Sequence, residues 1–284
     1  MAFHDLLLAL FSYPDATPGD AVDRTVRVAR RLGGEITALG IPVRIEAPEN
    51  ALAEAVLGLK SVAAKARAQS AATVRDRLAR FRDDARAVGL TAFTEIEASD
   101  LYEEAELVVA HARTRDLTLT PVGPSASAGD QAIAERLLFE SGRPIVVVPE
   151  TGPVETENGP FGRVAIAWDG SRCASRAVAD ALPLLRTATE VRLLTILNDK
   201  PDAHAGCAKD LVRHLGAHGI RSHVDEVDAL GRGVGATIAA YCASHDIELL
   251  VMGGYARSRA REFILGGATS DVLGRPFVPT FMSH

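Results

Sequence analysis

DIELLVMG (246–253), GYARSRAREFILGGATSDVL (254–273), GRP (274–276) and FVPTFM (277–282) together repeat the plan of an earlier segment of the chain. The earlier copy, residues 116–149, runs DLTLTPVG, PSASAGDQAIAERLLFES, GRP and IVVVP. Each copy reads as a strand, a loop of small residues, a helix, a Gly-Arg-Pro turn and a second strand. Because a repeat of this kind marks a repeated structural unit, the sequence predicts two copies of one α/β domain.

Strands and helices alternate in front of each copy. Residues 5–11 form a continuous apolar run, which is typical of a strand buried on both faces of a parallel sheet. A helix follows, with Thr17 as its candidate N-cap, Pro18 at its first position and Gly33-Gly34 at its end. A long helical stretch over residues 50–88, broken near Ser70, comes next. After residue 160 the same alternation begins again.

The predicted fold is therefore α/β, with two tandem doubly wound, Rossmann-like parallel sheets and helices on both faces. We expect a first domain at 1–150, a linker at 151–160 and a second domain at 161–284, because the linker region is rich in Pro and Gly and has no basic residue. The final strands, 144–149 and 276–282, are expected to pair the two domains within the chain, with pairing limited by the missing amide proton of Pro279.

Bulk composition excludes several classes of protein. The chain has 284 residues, 47% hydrophobic and 24% charged, with a net charge of -6, which argues against binding nucleic acid through phosphates. No apolar run is long enough to span a membrane, and the three cysteines are too few and too scattered for a disulfide framework. We expect a cytoplasmic protein with no nucleic acid or membrane partner.

Candidate binding residues follow the strands, because ligands of open parallel sheets bind beyond the strands' carboxyl ends. Asp169-Gly170-Ser171 follows the first strand of the second domain, where a carboxylate can accept hydrogen bonds from a polar ligand, although a turn aspartate is the common alternative. Gly253-Gly254 and Gly266-Gly267 flank a second loop. Its glycines and the following helix N-terminus suit a phosphate, and it contains three basic residues, Arg257, Arg259 and Arg261.

The pattern Gly-x2-Gly-x9-Gly-(Ser/Thr) after an apolar strand, with an Asp beyond strand one, resembles the universal stress protein family. The resemblance implies an adenine nucleotide alpha hydrolase-like fold that binds ATP, with or without Mg. The family's Asp, which meets adenine, falls on Asp169, and the hydrophobic residue lining the adenine pocket falls on Ile196. The phosphate and ribose loop falls on Gly253, Ala256, Gly266 and Gly267, with Gly254, Arg257, Arg259, Ala268 and Thr269 beside it.

This chain departs from the family's motif at two positions. Ala256 stands for the second Gly, and Gly267 stands for the Ser or Thr, so that Thr269 would have to supply a hydroxyl nearby. In the first domain, Phe11 and Ser12 occupy the place of Asp169, and the loop at 123–129 has no arginine. We therefore expect the first domain to be structural and the second to bind the nucleotide.

Two further patterns have more ordinary interpretations. Residues 231–236, GRGVGA, match a dinucleotide signature, but the strand before them alternates instead of being buried. The cluster of His204, Cys207, His214 and His218, close to Asp202, has the residue types of a zinc site, yet an exposed polar helix explains it more simply. Walker A and Gly-x-Ser-x-Gly motifs are absent from the sequence.

The expected function is a stress-response switch that binds ATP without an evident general base, so that any hydrolysis is slow. Homodimerisation is compatible with the sequence. The alternative is an interaction scaffold that has lost its nucleotide, as Ala256 and Gly267 indicate. An adenine-nucleotide hydrolase would need a Ser-Gly-Gly-x-Asp-Ser loop, which the sequence does not contain.

Overall fold

One ten-stranded sheet extends through both predicted domains. The structure is a computed structural model that describes residues 3–13, 15–45, 59–123, 128–151, 159–197, 204–254, 256–259, 262–265 and 267–284. Below, the first half means described residues up to 151, and the second half means those from 159 onward. No helix in these ranges is both long and apolar enough to cross a membrane.

The strands follow the apolar runs of the sequence. In chain order they are β1 Asp5–Phe11, β2 Glu35–Ile41, β3 Val43–Arg44, β4 Ala92–Ile96, β5 Ser99–Asp100, β6 Leu117–Val122, β7 Ile145–Pro149, β8 Arg163–Ala167, β9 Glu190–Leu197, β10 Ser222–Asp228, β11 Leu249–Gly253, β12 Ala256–Arg259, β13 Glu262–Leu265 and β14 Thr280–Ser283. The short strands pair separately from the main sheet, β3 with β5 and β12 with β13.

The helices connect the strands of the sheet. They are α1 Gly19–Leu32, α2 Leu59–Ala87, α3 Glu104–Ala112, α4 Ala128–Glu140, α5 Arg172–Leu185, α6 Lys209–Ala217, α7 Val234–Ser244 and α8 Gly267–Gly274. Two apolar clusters cover the two faces of the sheet, and each contains residues from both halves. The predicted α/β doubly wound fold is confirmed.

The strand order is the same in each half when read from the outer edge inward. The main sheet runs β10-β9-β8-β11-β14-β7-β6-β1-β2-β4. In each half the chain builds the first three strands outward and then returns to the inner side of the first one. That return is the topological switch point, where a doubly wound sheet opens a crevice for ligands. The switch points lie between β8 and β11 and between β1 and β6.

The two halves join at the middle of the sheet. β14 and β7 are antiparallel, with Thr280 opposite Val147 and Met282 opposite Ile145, whereas all the other pairs in the main sheet are parallel. Pro279 lies just outside this pairing, so its missing amide proton is not needed there. Because the two central strands run in opposite directions, the two crevices open at opposite edges of the sheet.

A buried ion pair also joins the halves. Arg31, at the end of α1, contacts Glu248 in an ion pair and donates from Nε to the Gly159 carbonyl oxygen at 3.1 Å. Its guanidinium lies 4.1 Å from the centre of the Phe161 ring. The Arg31 side chain is only 4% exposed and that of Glu248 15%. An arginine of the first half is thus held by three groups of the second.

Two details of the sequence analysis were wrong. Thr17 does not cap α1, because its hydroxyl accepts the Phe11 N–H at 2.9 Å and closes the loop after β1 instead. α2 is not broken at Ser70, although residues 50–58 lie outside the described part of the chain. The Ser70 hydroxyl lies 2.7 Å from that of Ser12 and accepts the Val43 N–H, so it ties the helix to the sheet.

Candidate functional site

The switch point of the second half brings the predicted loops to one edge. In the register of β8 and β11, Ala167 is opposite Met252. The chain therefore leaves these neighbouring strands at the same level, through Asp169 on one side and Gly253-Gly254 on the other. The crevice between them is the place where a doubly wound sheet accepts a ligand.

The Asp169 side chain closes a turn. Its Oδ1 accepts the Ser171 N–H at 3.0 Å, and Gly170 between them has a φ of 72°, a conformation that favours glycine. The Ser171 hydroxyl accepts the Ala174 N–H at 3.1 Å, which confirms the predicted cap of α5. Asp169 is half-buried at the sheet edge, in a conformation determined by its own turn.

Ile196 lies at the same level on β9. Ala167 is opposite Leu194, so Ile196 extends two residues further toward the carboxyl edge, at the level of Asp169. It is 7% exposed and belongs to the apolar cluster. An apolar residue beside a carboxylate suits a flat aromatic ring that carries polar groups on its edge.

Trp168 is a member of this edge that the sequence analysis missed. Its indole N–H donates to the Cys207 carbonyl oxygen at 3.3 Å, which ties the loop after β8 to the segment before α6. The only tryptophan of the chain directly precedes Asp169, and this was the signal available in the sequence.

The first glycine pair has packing reasons of its own. A Cβ atom on Gly253 would lie 2.5 Å from the Ala174 amide nitrogen, in the first turn of α5. A Cβ atom on Gly254 would lie 2.5 Å from a methyl carbon of Leu138, in the first half. Both positions require glycine because the protein itself approaches closely, so these glycines alone do not indicate a ligand.

His284 also meets this loop, and nothing in the sequence analysis indicated it. Its Nδ1 lies 2.9 Å from the Gly254 carbonyl oxygen, so this nitrogen carries the proton and donates it. The imidazole stacks edge-on against Phe139 of α4, with ring centres 4.8 Å apart. The start of the loop is therefore anchored on both sides of the junction between the halves.

Part of the loop between the two glycine pairs is a β-hairpin. β12 and β13 pair antiparallel, with Ala256 opposite Leu265 and Arg259 opposite Glu262, where the sequence analysis expected an open loop. Arg257 and Arg259 lie in β12 by their backbone. Gly266 and Arg261 lie outside the described residues.

The helix that follows the hairpin begins at Gly267, as the glycine pair predicted. Gly267 is exposed, and a Cβ there would meet no described atom within 4 Å. Ala268 packs against the apolar cluster and Thr269 is only 2% exposed. The N-terminus of α8 faces the carboxyl edge of β11, because α8 returns the chain to the start of β14. Backbone N–H groups at that end suit an anion.

The first half has a different edge. Ser12, which stands where the second half has Asp169, donates its hydroxyl to the Ile41 carbonyl oxygen at 3.1 Å and contacts Ser70. Gly123, the counterpart of Gly253, is covered by the Glu150 side chain, which a Cβ at this position would overlap. Residues 124–127 of the predicted 123–129 loop lie outside the described part of the chain.

The competing motifs have structural roles. Gly235 of the GRGVGA segment lies against Asp271 of α8, and the segment follows β10, the outermost strand of the sheet in the second half. The His214 and His218 rings contact each other, with centres 4.8 Å apart. No group of three or more metal-binding side chains occurs among the described residues, and Asp202 is outside them.

Known proteins share this architecture. Residues 160–284 match the model of the universal stress protein family. A universal stress protein from Archaeoglobus fulgidus is 17% identical, with a TM-score of 0.69 over 98% of this chain and 95% of that one. A proposed universal stress protein from Pseudomonas aeruginosa UCBPP-PA14 is 16% identical, with a TM-score of 0.54 over 99% and 93%. No curated protein matches.

The family match covers the half that contains Asp169 and the glycine loop, and the structural matches extend over nearly the whole chain. At these identities the structural matches show the fold alone. The second half of the chain is therefore similar to the universal stress protein family, whose model it matches at residues 160–284.

Proposed function

We propose that the second half binds an adenine nucleotide, ATP, in the crevice between β8 and β11, and that the protein acts as a stress-response binding switch. The proposal has one main support: an acidic side chain, Asp169, and the exposed N-terminus of α8 open on the same edge at the switch point. An acceptor for the amino group of adenine and donors for phosphate are the two chemistries that this ligand requires.

The residues present suit the parts of the nucleotide. Asp169 would accept the exocyclic amine, and Ile196 would form the apolar wall for the base. Backbone N–H groups of Gly267 and Ala268 would hold phosphate oxygens, since the end of α8 is exposed and Gly267 adds no side chain there. Arg257 and Arg259 are proposed to add positive charge, as their positions in β12 allow.

Magnesium, if it accompanies ATP, would be held mainly by phosphate oxygens and water. The described residues contain no cluster of metal-binding side chains, and Mg²⁺ at nucleotide sites commonly keeps several waters. Asp169 already accepts a turn hydrogen bond, which makes it a poor candidate for activating water. We therefore infer a site for binding with slow turnover at most.

The alternative function is an interaction scaffold without nucleotide. It is favoured by the packing of Gly253 and Gly254, whose small size the protein itself requires. It is also favoured by Ala256 and Gly267, which depart from the family's motif. Nucleotide released by heating protein purified from cells separates the two functions: a stoichiometric adenine nucleotide supports the switch, and protein that is empty and fails to bind added ATP supports the scaffold.

Isothermal titration with ATP tests the role of Asp169 with two variants. Asp169→Ala removes both the ligand contact and the turn hydrogen bond, whereas Asp169→Asn keeps an oxygen for the Ser171 N–H. A charge-assisted hydrogen bond contributes roughly 1.5–3 kcal/mol, so either variant should weaken binding by about 10- to 150-fold. Asp15→Asn, in the corresponding loop of the first half, is the control and should bind ATP normally.

The pair of variants separates contact from architecture. If only Asp169→Ala weakens binding, Asp169 acts through its turn and does not touch the nucleotide. If neither variant changes the affinity, Asp169 is not in the site.

A further inference from the structure

His284 lies between the two chain segments that border the proposed nucleotide crevice. On one side, its Nδ1 donates to the Gly254 carbonyl oxygen at 2.9 Å, at the start of the loop between the two glycine pairs. On the other side, the same nitrogen lies 3.6 Å from the Cys173 sulfur, in the first turn of α5. That turn directly follows the hydrogen bond between Asp169 and Ser171. One imidazole thus contacts both segments.

Both backbone groups of Gly254 are held at this point. Its N–H donates to the Ser283 carbonyl oxygen at 2.7 Å, and its carbonyl oxygen accepts the proton of His284. The chain therefore leaves β11 in a direction that these two hydrogen bonds determine. The bond to His284 is made by a side chain, so it is the one of the two that a substitution can remove.

Helix α4 of the first half supports this arrangement. The Phe139 ring meets the His284 imidazole edge-on, with ring centres 4.8 Å apart, a favourable geometry for two aromatic rings. Leu138 is only 2% exposed and packs closely on Gly254. About two turns earlier on α4, the Gln131 side chain lies 3.8 Å from where a Cβ of Gly274 would be, at the end of α8. α4 therefore contacts both the start of the loop and the helix that follows it.

We propose that His284 is a positioning residue for the nucleotide loop, and that Phe139 of the first half keeps its imidazole in the orientation that donates to Gly254. The first half thereby takes part in nucleotide binding by ordering the loop of the second. The consequence for ATP rests on the proposed function, whereas the position of the loop in the ligand-free chain does not.

Such a contact favours binding by pre-organisation. Ordering a loop when the ligand arrives costs free energy, and a hydrogen bond that already orders the loop removes part of that cost. Losing a hydrogen bond between neutral groups changes an equilibrium by about three- to tenfold. The effect expected for His284 is therefore smaller than that expected for Asp169, which is proposed to touch the nucleotide.

Isothermal titration of the full-length chain with ATP tests the inference. His284→Ala removes the donor and should weaken binding about three- to tenfold. His284→Asn places an amide N–H near the position of Nδ1 and should restore the affinity to within about twofold of the wild type. Phe139→Leu keeps apolar surface without the ring contact and should weaken binding by a factor similar to that of His284→Ala.

Arg136→Ala is the matched control on α4. It removes only the i,i+4 ion pair with Glu140 and should leave ATP affinity unchanged. A double variant then separates one shared contact from two independent losses. If Phe139 acts by orienting His284, the chain with both Phe139→Leu and His284→Ala should bind ATP as weakly as His284→Ala alone. Additive losses would contradict the role of Phe139.

Hydrogen–deuterium exchange of the ligand-free chain tests the position of the loop without ATP. The Gly254 amide and the amides of β12 and β13 should exchange about three- to tenfold faster in His284→Ala and in Phe139→Leu. They should keep their wild-type rates in Arg136→Ala. The amides of β1 and β2 should exchange at wild-type rates in every variant, because a general loss of stability would accelerate them as well.

Three results would overturn the inference: unchanged ATP affinity in His284→Ala, equal losses in His284→Asn and His284→Ala, or unchanged exchange of the loop in His284→Ala. Failure of the proposed function looks different. In that case the wild-type chain binds no ATP, or Asp169→Asn binds it normally, and exchange in the ligand-free chain still decides whether His284 positions the loop.

Discussion

The two halves use the same strand order and place different chemistry at its switch point. After β8, the second half has Asp169 in a turn closed by the Ser171 N–H. After β1, the first half has Ser12, whose hydroxyl donates to the Ile41 carbonyl oxygen and contacts Ser70 of α2. Beyond β11 lies the glycine-rich hairpin, while beyond β6 lies Gly123 under the Glu150 side chain. One scaffold thus presents an acid with backbone donors at one edge and a hydrogen-bonded serine with a covered glycine at the other.

This contrast depends on loops and not on the core. Corresponding strands in the two halves are buried apolar runs with equivalent neighbours in the sheet. The helices after the second strands differ most, since α2 spans 29 residues and α6 only 9. The longer helix supplies Ser70, which contacts the Ser12 hydroxyl in the loop after β1.

The largest effect is expected from the contact that holds the halves together. Arg31→Met removes the buried partner of Glu248 and leaves it only Arg163, whose side chain is 44% exposed; breaking a buried ion pair commonly costs about 3–5 kcal/mol. Urea unfolding should show this loss in the free energy of unfolding.

Arg27→Ala is the control for Arg31→Met. Arg27 forms an i,i+4 pair with Asp23 on the same helix, and both side chains are about one-third exposed, so its loss should cost only about 0.3–0.5 kcal/mol. Equal costs for the two variants would show that Arg31 does not join the halves energetically.

The next largest loss of stability is expected at Gly253, compared with its counterpart Gly123 in the first half. Gly253→Ala puts a Cβ 2.5 Å from backbone atoms of α5, which cannot move without displacing the helix, and should cost about 1–3 kcal/mol. Gly123→Ala mainly meets the Glu150 side chain, which can shift, so its cost should be smaller. Thermal unfolding of both variants gives the difference, and a larger cost for Gly123→Ala would contradict the close approach of α5.

The contribution of Glu248 to the pH dependence of stability should be smaller than these effects and should occur only at acid pH. Burial raises the pKa of Glu248, but hydrogen bonds from Arg31 and from the Gly162 and Arg163 N–H groups outweigh it, so the pKa lies below its ordinary 4.5. A lowered folded-state pKa stabilises the protein above the unfolded pKa, and this stabilisation is lost as the pH falls below about 4.5.

Glu248→Gln tests that dependence. Its free energy of unfolding should fall less steeply than that of the wild-type chain between about pH 5 and 3, the range around the ordinary glutamate pKa. Parallel slopes for the two proteins would show that Glu248 does not contribute to the acid sensitivity.

Local signals predicted most of the fold and part of the site. The run from Leu6 to Leu10 indicated a buried strand, and Ser171 before a periodic segment indicated a helix cap; both were confirmed. Thr17 failed as a cap because its hydroxyl bonds back to Phe11, an equally local option that the sequence does not distinguish.

Contacts between distant residues were out of reach of the sequence analysis. Arg31 and Glu248 are 217 positions apart, and an arginine near a helix end reads as an ordinary surface residue. The packing of Gly254 on Leu138 is equally invisible, which is why that glycine looked like part of a ligand loop. Asp169 was proposed from its place after a buried strand and Ile196 from the family resemblance; the strand order brings both to the same level, and their part in a binding site stays a prediction.

The most direct test of the difference between the halves is the stoichiometry of ATP binding, measured by isothermal titration on the full-length chain. We expect one ATP per chain, with affinity weakened in Asp169→Asn and unchanged in Asp15→Asn. Two ATP molecules per chain, or a single one whose affinity falls with Asp15→Asn and not with Asp169→Asn, would contradict this expectation.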